Sequence, residues 1–403
     1  MSENPSDLPV PGIEAFTIRS KSGFQSRAAQ LLAMTTFAMG SPEQIAAISA
    51  DAKRLNVPVV EPFSGAEFRW DDQRFLDQIT KIALRDHGQA PAPEDWYSLW
   101  PAKNIDELNL WKALRESSQP TLLLALLNLS LGSVSEIQRT AAAVCLHAVS
   151  RGEMRVARGI LHSGLSSSSP TIVEMSRAAL GLDLFRLSDD LATGPQMDPT
   201  ETDRTVSVAV HGTWARLVAN EDRWYAPQSK LHRHVRSQAS ANLFSGEGYY
   251  RWSGGYTAAE RAEGADDLTM WRHLSGIREF DVVYAHSHGG NVALGAASQG
   301  EKIRLLVLMH TPALRRSPDE WERIRANVGR VLVLRTRMDL VVLADGLANG
   351  SSQSFDSKLL PHRELELHWQ SAKSWFSHDR FLKLSTWVDY DVAGQVRYER
   401  AFG

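Results

Sequence analysis

The chain has 403 residues, 43% of them hydrophobic and 23% charged, which is enough apolar material for real cores and too long for one small domain. Lys and Arg number 44 against 47 Asp and Glu, so the net charge of −3 offers no basic excess for a nucleic acid. The single cysteine, Cys145, excludes an intrachain disulfide and a cysteine-based zinc site.

The N-terminal MSENPSDLPV has no basic n-region and no apolar h-region, so no secretory signal is read there. The longest apolar run, Leu122 to Leu127, is far short of a transmembrane span. These features lead us to expect a soluble cytoplasmic protein. Signal-independent export and peripheral membrane contact remain compatible with them.

In chain order, the first 40 residues are weakly patterned. Helical periodicity follows at Pro42–Leu55, Asp71–Asp86, Ile105–Glu116, Pro120–Leu131, Val134–Val149, Glu153–Leu161 and Thr171–Leu187. Ser41-Pro42 and Asn104 supply helix starts, and Pro91 and Pro93 break the run before Trp96. A weak echo 38 residues apart links Leu127, Val134, Glu136, Ile137, Arg139 and Ala141 to Leu165, Ile172, Glu174, Met175, Arg177 and Ala179. A helix pair at that period resembles a HEAT-like or armadillo-like array, and an ordinary helical bundle is the other reading. The expectation is an all-helical domain over residues 1–195, suited to recruiting a protein partner. The Pro-, Thr- and Asp-rich ATGPQMDPTETDRT then reads as a linker.

Residues 203–403 change rhythm. Strands are expected at Thr205–Val210, Tyr249–Trp252, Asp281–Ala285, Ile303–Met309, Arg330–Thr336 and Glu364–Trp369. Helices are expected at Thr257–Leu274, Gly290–Ser298, Asp319–Asn327 and His378–Asp389. The runs VSVAV, DVVYA, RLLVLM and VLVLR suit parallel strands buried on both faces. The fold class is therefore α/β, a mostly parallel sheet flanked by helices and preceded by an all-α domain.

The informative segment is FDVVYAHSHGGNVALGAAS. An apolar strand runs into Ala285-His286-Ser287-His288-Gly289-Gly290, and a helix follows at once. A strand-to-helix turn this tight strains the serine backbone and requires small residues two before and two after it, here Ala285 and Gly289. Such a turn exposes the hydroxyl above the sheet edge and aims a helix N-terminus at the same point.

This segment resembles the nucleophile elbow of the α/β-hydrolase fold, within it the bacterial lipases and esterases, with Ala285 where the family usually has glycine. The resemblance implies Ser287 as nucleophile. It implies an oxyanion hole from the backbone N–H groups of Thr213, in Val210-His211-Gly212-Thr213, and of His288. It places the acid after the penultimate strand, at Asp339, with Asp345 and Asp356 as weaker alternatives, and the base after the last strand, at His378. His362 and His368 are poorer bases, one before that strand and one inside it.

The chemistry implied is hydrolysis of carboxylic esters, lipid or other bulky acyl esters among them, through a Ser-His-Asp triad and an acyl-enzyme, with no cofactor and no metal. Acyl transfer or amide cleavage on the same triad, and a non-catalytic scaffold, are the alternatives. His286-x-His288 and His232-x-His234 lack a carboxylate or cysteine at ligand spacing. Trp214, Trp252 and Trp375 are candidate walls of an acyl pocket. About twenty residues separate Ile303–Met309 from the next strand, too few for a cap domain. Trp224 to Gly248 is read as a short lid over an otherwise shallow, uncovered site.

Overall fold

The computed structural model describes residues 21–63, 107–181, 204–213, 215, 223–366 and 375–402. The helix expected at Asp71–Asp86, the linker up to Asp203 and Trp214 lie outside them, and the linker's last two residues, Arg204 and Thr205, open the first strand. The described chain divides into two units.

The helical unit contains α1 (Lys21–Met39), α2 (Pro42–Arg54), α3 (Glu107–Ser117), α4 (Pro120–Leu131), α5 (Glu136–Val149), α6 (Arg155–Gly164) and α7 (Pro170–Leu180). Most of these match the periodicity to within two or three residues. Helix α1 was not expected. Its residues 26–38 are all buried, so it has no polar face and leaves no amphipathic signature. Helix α2 starts as the sequence suggests: Ser41 and Gln44 form a reciprocal capping box and Pro42 takes the first turn.

Met338–Ser352, with Trp375 and Phe376, also belongs to this unit. It carries an unexpected helix, α12 (Leu340–Asn349). Met338, Leu340, Val341, Leu343 and Ala344 are buried in the same core as Leu31, Leu32 and Leu146. Gln44 Nε2 donates to the carbonyls of Gly346 (2.7 Å) and Ser351 (3.0 Å), tying α2 to the end of α12. A domain boundary read from the linker alone does not anticipate this return of the chain.

Cys145 is fully buried in that core, where burial pushes its thiol up to about 12. At pH 8 the native protein should therefore not react with a thiol reagent such as Ellman's reagent, and one equivalent should appear on unfolding. Colour release by the folded protein would contradict this.

Among the described residues the second unit is built on five parallel strands that neighbour one another in chain order: β1 (Arg204–Val210), β2 (Ile277–His286), β3 (Ile303–Met309), β4 (Val328–Arg335) and β5 (Arg363–Glu366). Tyr249–Trp252 is not a strand; Tyr250 and Trp252 are buried through hydrogen bonds of their own. Tyr250 Oη donates to the Gly264 carbonyl at 2.6 Å and Trp252 Nε1 to the His211 carbonyl at 2.8 Å. The expected strand Glu364–Trp369 is described only to Glu366.

Alternation explains the apolar runs. Val283, Ala285, Leu306, Leu308, Val331 and Val333 point to one face, under α9 (Ala258–Leu274), α10 (His288–Ser298) and α11 (Pro318–Asn327). Val282, Tyr284, Leu305, Val307, Leu332 and Leu334 point to the other, under α8 (Lys230–Gln238), α13 (Leu384–Asp389) and α14 (Val392–Ala401). Of the helix expected at His378–Asp389 only Leu384–Asp389 is α-helical, α14 was not expected, and His378 lies in the turn before them. Among the described residues no helix is long and apolar enough to cross a membrane.

The segment expected as a lid is α8 with its flanking turns, packed on the sheet through Trp224, Tyr225, Leu231 and Val235. His232 of α8 is buried, and burial lowers its imidazole to about 4. The folded state keeps it neutral while the unfolded chain takes a proton near the ordinary value of 6.5. Its contribution is therefore intact above pH 6.5 and is lost as pH falls towards 4, at most about 3 kcal/mol in all. His232→Gln keeps a donor for the Phe244 carbonyl, 3.0 Å away, and removes the titration. The fall in melting temperature between pH 7 and 4 should be shallower in this variant, which a pH series of thermal melts checks.

Candidate active site

Parallel strands in register bring their C-terminal ends to one edge. Val210 pairs with Ala285, His286 with Met309, and Met309 with Leu334. Ligand sites of open parallel sheets form at this edge.

Ser287 stands between the last residue of β2 and the first of α10, at φ 52°, ψ −135°. That backbone region is costly for any residue with a side chain, on the order of 1–3 kcal/mol. It is held from both sides: the Ser287 N–H donates to the Met309 carbonyl (2.8 Å), and the Gly290 N–H donates to the Ser287 carbonyl (2.9 Å). The helix start is aimed at the serine, and its macrodipole favours negative charge there.

The turn after β1 lies against this elbow. A Cβ at Gly212 would fall 2.8 Å from Ser287 Cβ and 2.9 Å from His286 Nδ1, so only glycine fits. His211 is fully buried. Its Nδ1 donates to the Gly212 carbonyl at 2.8 Å. Its ring stacks on Trp252 with centroids 5.8 Å apart and meets Tyr225 at 4.5 Å. Trp252 is therefore a buried buttress of this turn rather than a pocket wall, and Trp375 is buried in the core of the helical unit. Thr213, the residue after Gly212, is 8% exposed.

His288 begins α10. Asn291 Nδ2 donates to its Nδ1 at 3.3 Å and to the Pro312 carbonyl at 3.0 Å. Arg316 Nη2 in turn donates to Asn291 Oδ1 at 3.2 Å, and burial lowers this guanidinium to about 10. A chain of polar contacts thus fixes the first turn of α10. The His232-x-His234 pair splits: His232 is buried, and His234 faces Trp387 with centroids 6.5 Å apart.

His378 comes to the same edge. Its ring centroid is 4.9 Å from that of His286 and 5.4 Å from that of His310. His310 was not anticipated. It follows β3 directly, is buried, and has φ 52°. Its N–H donates to the Leu334 carbonyl at 2.8 Å, and its Nε2 accepts the Phe381 N–H at 3.4 Å. A histidine placed immediately after an apolar strand next to the nucleophile's strand was the available signal.

Beside the base, burial works to raise the Asp379 carboxyl. The Ser377 hydroxyl, the Lys383 ammonium at 3.0 Å and nearby His310 outweigh it, and the group stays below its ordinary value. Asp379 is thereby committed to Ser377 and Lys383.

Asp339 belongs to the helical unit, as the N-cap of α12; its Oδ1 accepts the N–H groups of Val341 (3.0 Å) and Val342 (3.2 Å). Asp345 accepts from Asn349, and Asp356 accepts the Lys358 N–H in a turn. His362 bonds the Leu360 carbonyl through Nδ1, and His368 lies outside the described residues.

The serine is not the exposed one expected of such a turn. Ser287 is 5% exposed and His378 is 3% exposed. Comparisons with family models, with curated proteins and with solved structures find no match to this chain.

Proposed function

We propose that this protein is a serine hydrolase acting on carboxylic esters, of the α/β-hydrolase kind. The observation that carries the reading is the strained Ser287 at the strand-to-helix junction, with the Gly212 turn packed against its Cβ. A surrounding structure that holds a non-glycine residue in such a region is a common mark of a functional site. The arrival of His378 at the same sheet edge supports the reading.

In this mechanism the Ser287 hydroxyl attacks the ester carbonyl carbon and gives its proton to His378. The tetrahedral oxyanion lies between the N–H groups of Thr213 and His288; losing one such donor would cost about 3–4 kcal/mol of barrier. His378 returns the proton to the leaving alcohol, and water then cleaves the acyl-enzyme by the reverse roles. The acid is assigned to Asp339 by chain order alone.

The burial of Ser287 favours small acyl groups over the lipid or other bulky esters expected from the sequence, and we expect acetyl to butyryl esters to react faster than palmitoyl esters. The test combines a fluorophosphonate probe with p-nitrophenyl esters of graded chain length. Labelling at Ser287 together with ester turnover is expected. An unlabelled, inactive protein across neutral to mildly alkaline pH would overturn the proposal. An added alcohol that diverts the acyl group would identify a transferase.

A further inference from the structure

His286 is the last residue of β2, and its side chain is buried. Its Nε2 lies 3.1 Å from the main-chain carbonyl of His378. A carbonyl oxygen only accepts, so Nε2 carries the proton and Nδ1 is the ring's other edge when neutral. That other edge faces the glycine turn, where a Cβ at Gly212 would come within 2.9 Å of Nδ1. One imidazole therefore touches the turn proposed to supply the oxyanion donor, adjoins the nucleophile in the chain, and grips the peptide of the proposed base. The His378 ring packs beside it at 4.9 Å.

We infer that His286 is a positioning residue for ester cleavage: it fixes the His378 imidazole relative to Ser287 and the Gly212 turn through its Nε2–H bond to the His378 carbonyl. This rests on the reading of Ser287 and His378 as nucleophile and base. His378 lies in a turn, before the short 3₁₀ segment Arg380–Leu382, so no helix or strand ladder sets its place. A side-chain donor from the rigid end of β2 supplies what the turn lacks. A displacement of the base by 1 Å can cost on the order of a hundredfold in rate without touching substrate affinity.

The experiment compares His286→Phe, which keeps a ring and loses the donor, with His286→Gln, whose amide can still donate. In His286→Phe, kcat should fall about tenfold or more while KM stays within about threefold. In His286→Gln, kcat should recover to within about threefold of wild type. Melting temperatures read alongside separate this from loss of fold: a residue that only packs would lower activity in step with the folded fraction in both variants, and that result would overturn the inference. So would wild-type kcat in His286→Phe.

A second measurement needs no variant. Long-range proton–nitrogen correlation on protein labelled with ¹⁵N-histidine should show His286 as the Nε2–H tautomer, and the Nδ1–H tautomer would refute the bond. A wild-type protein that takes no fluorophosphonate sinks the hydrolase reading and this inference together. A labelled wild type with an unaffected Phe variant sinks only the role of His286.

Discussion

Ser287→Ala should abolish fluorophosphonate labelling and reduce kcat/KM for p-nitrophenyl esters by roughly ten-thousandfold or more, the scale on which nucleophile removal acts in serine hydrolases. Ser287→Gly should be equally inactive, yet more stable than Ser287→Ala. The reason is the backbone. At φ 52°, ψ −135° a Cβ crowds its own peptide groups, and alanine retains that strain because it retains the Cβ. Glycine removes it. Against this, glycine adds disorder to the unfolded chain, about 0.5–1 kcal/mol. Strain on the order of 1–3 kcal/mol exceeds that cost, so the net gain expected is about 1 kcal/mol. Denaturant unfolding of the two inactive variants reads the difference directly. Glycine no more stable than alanine would mean that the strained turn is not a feature of the folded protein.

The parts of the fold that could be read beforehand are those whose burial is written in local pattern. β3 and β4 are nearly unbroken runs of Leu and Val because both of their faces are covered. Helix α11 carries its own start signal: Ser317 and Glu320 form a capping box, and Pro318 takes the first turn. The elbow was legible for a similar reason: its steric demand acts on neighbours within two residues, so Ala285 and Gly289 betray it.

The misses share the opposite property. Helix α1 is buried on all sides, so periodicity has no contrast to report. Helix α12, LVVLADGLAN, joins the helical unit through Met338, Leu340 and Leu343, a choice made by packing partners hundreds of residues away. Tyr249–Trp252 has strand-like aromatics whose burial is arranged by side-chain hydrogen bonds to Gly264 and His211. His310 gains meaning only once register aligns the strand ends, and His286, although it sits inside the elbow motif, shows its bond to the His378 carbonyl only in the folded chain.

The sharpest steric test of the site is Gly289→Ala. A Cβ at Gly289 would lie 2.3 Å from the His211 carbonyl oxygen and 2.7 Å from that of Val210. Both obstacles are main chain at the end of β1, so no rotamer change relieves the clash. Either β1 must part from β2 or the first turn of α10 must move, and each displaces Thr213 or His288 from the nucleophile. Alanine's better helix propensity returns only about 1 kcal/mol. Overpacking of side chains alone costs about 1–3 kcal/mol, and a main-chain collision belongs at or above the upper end. We expect Gly289→Ala to lose about 3 kcal/mol of stability and, in the folded fraction, at least about a hundredfold in kcat/KM. Gly290→Ala is the control. There the Cβ would meet Thr311, at 2.2 Å from Oγ1 and 2.5 Å from Cγ2, and those atoms can be removed. Thr311→Ala should therefore restore part of the stability lost in Gly290→Ala and none of that lost in Gly289→Ala. Equal rescue of both variants, measured by denaturant unfolding, would show that the elbow does not press on the end of β1.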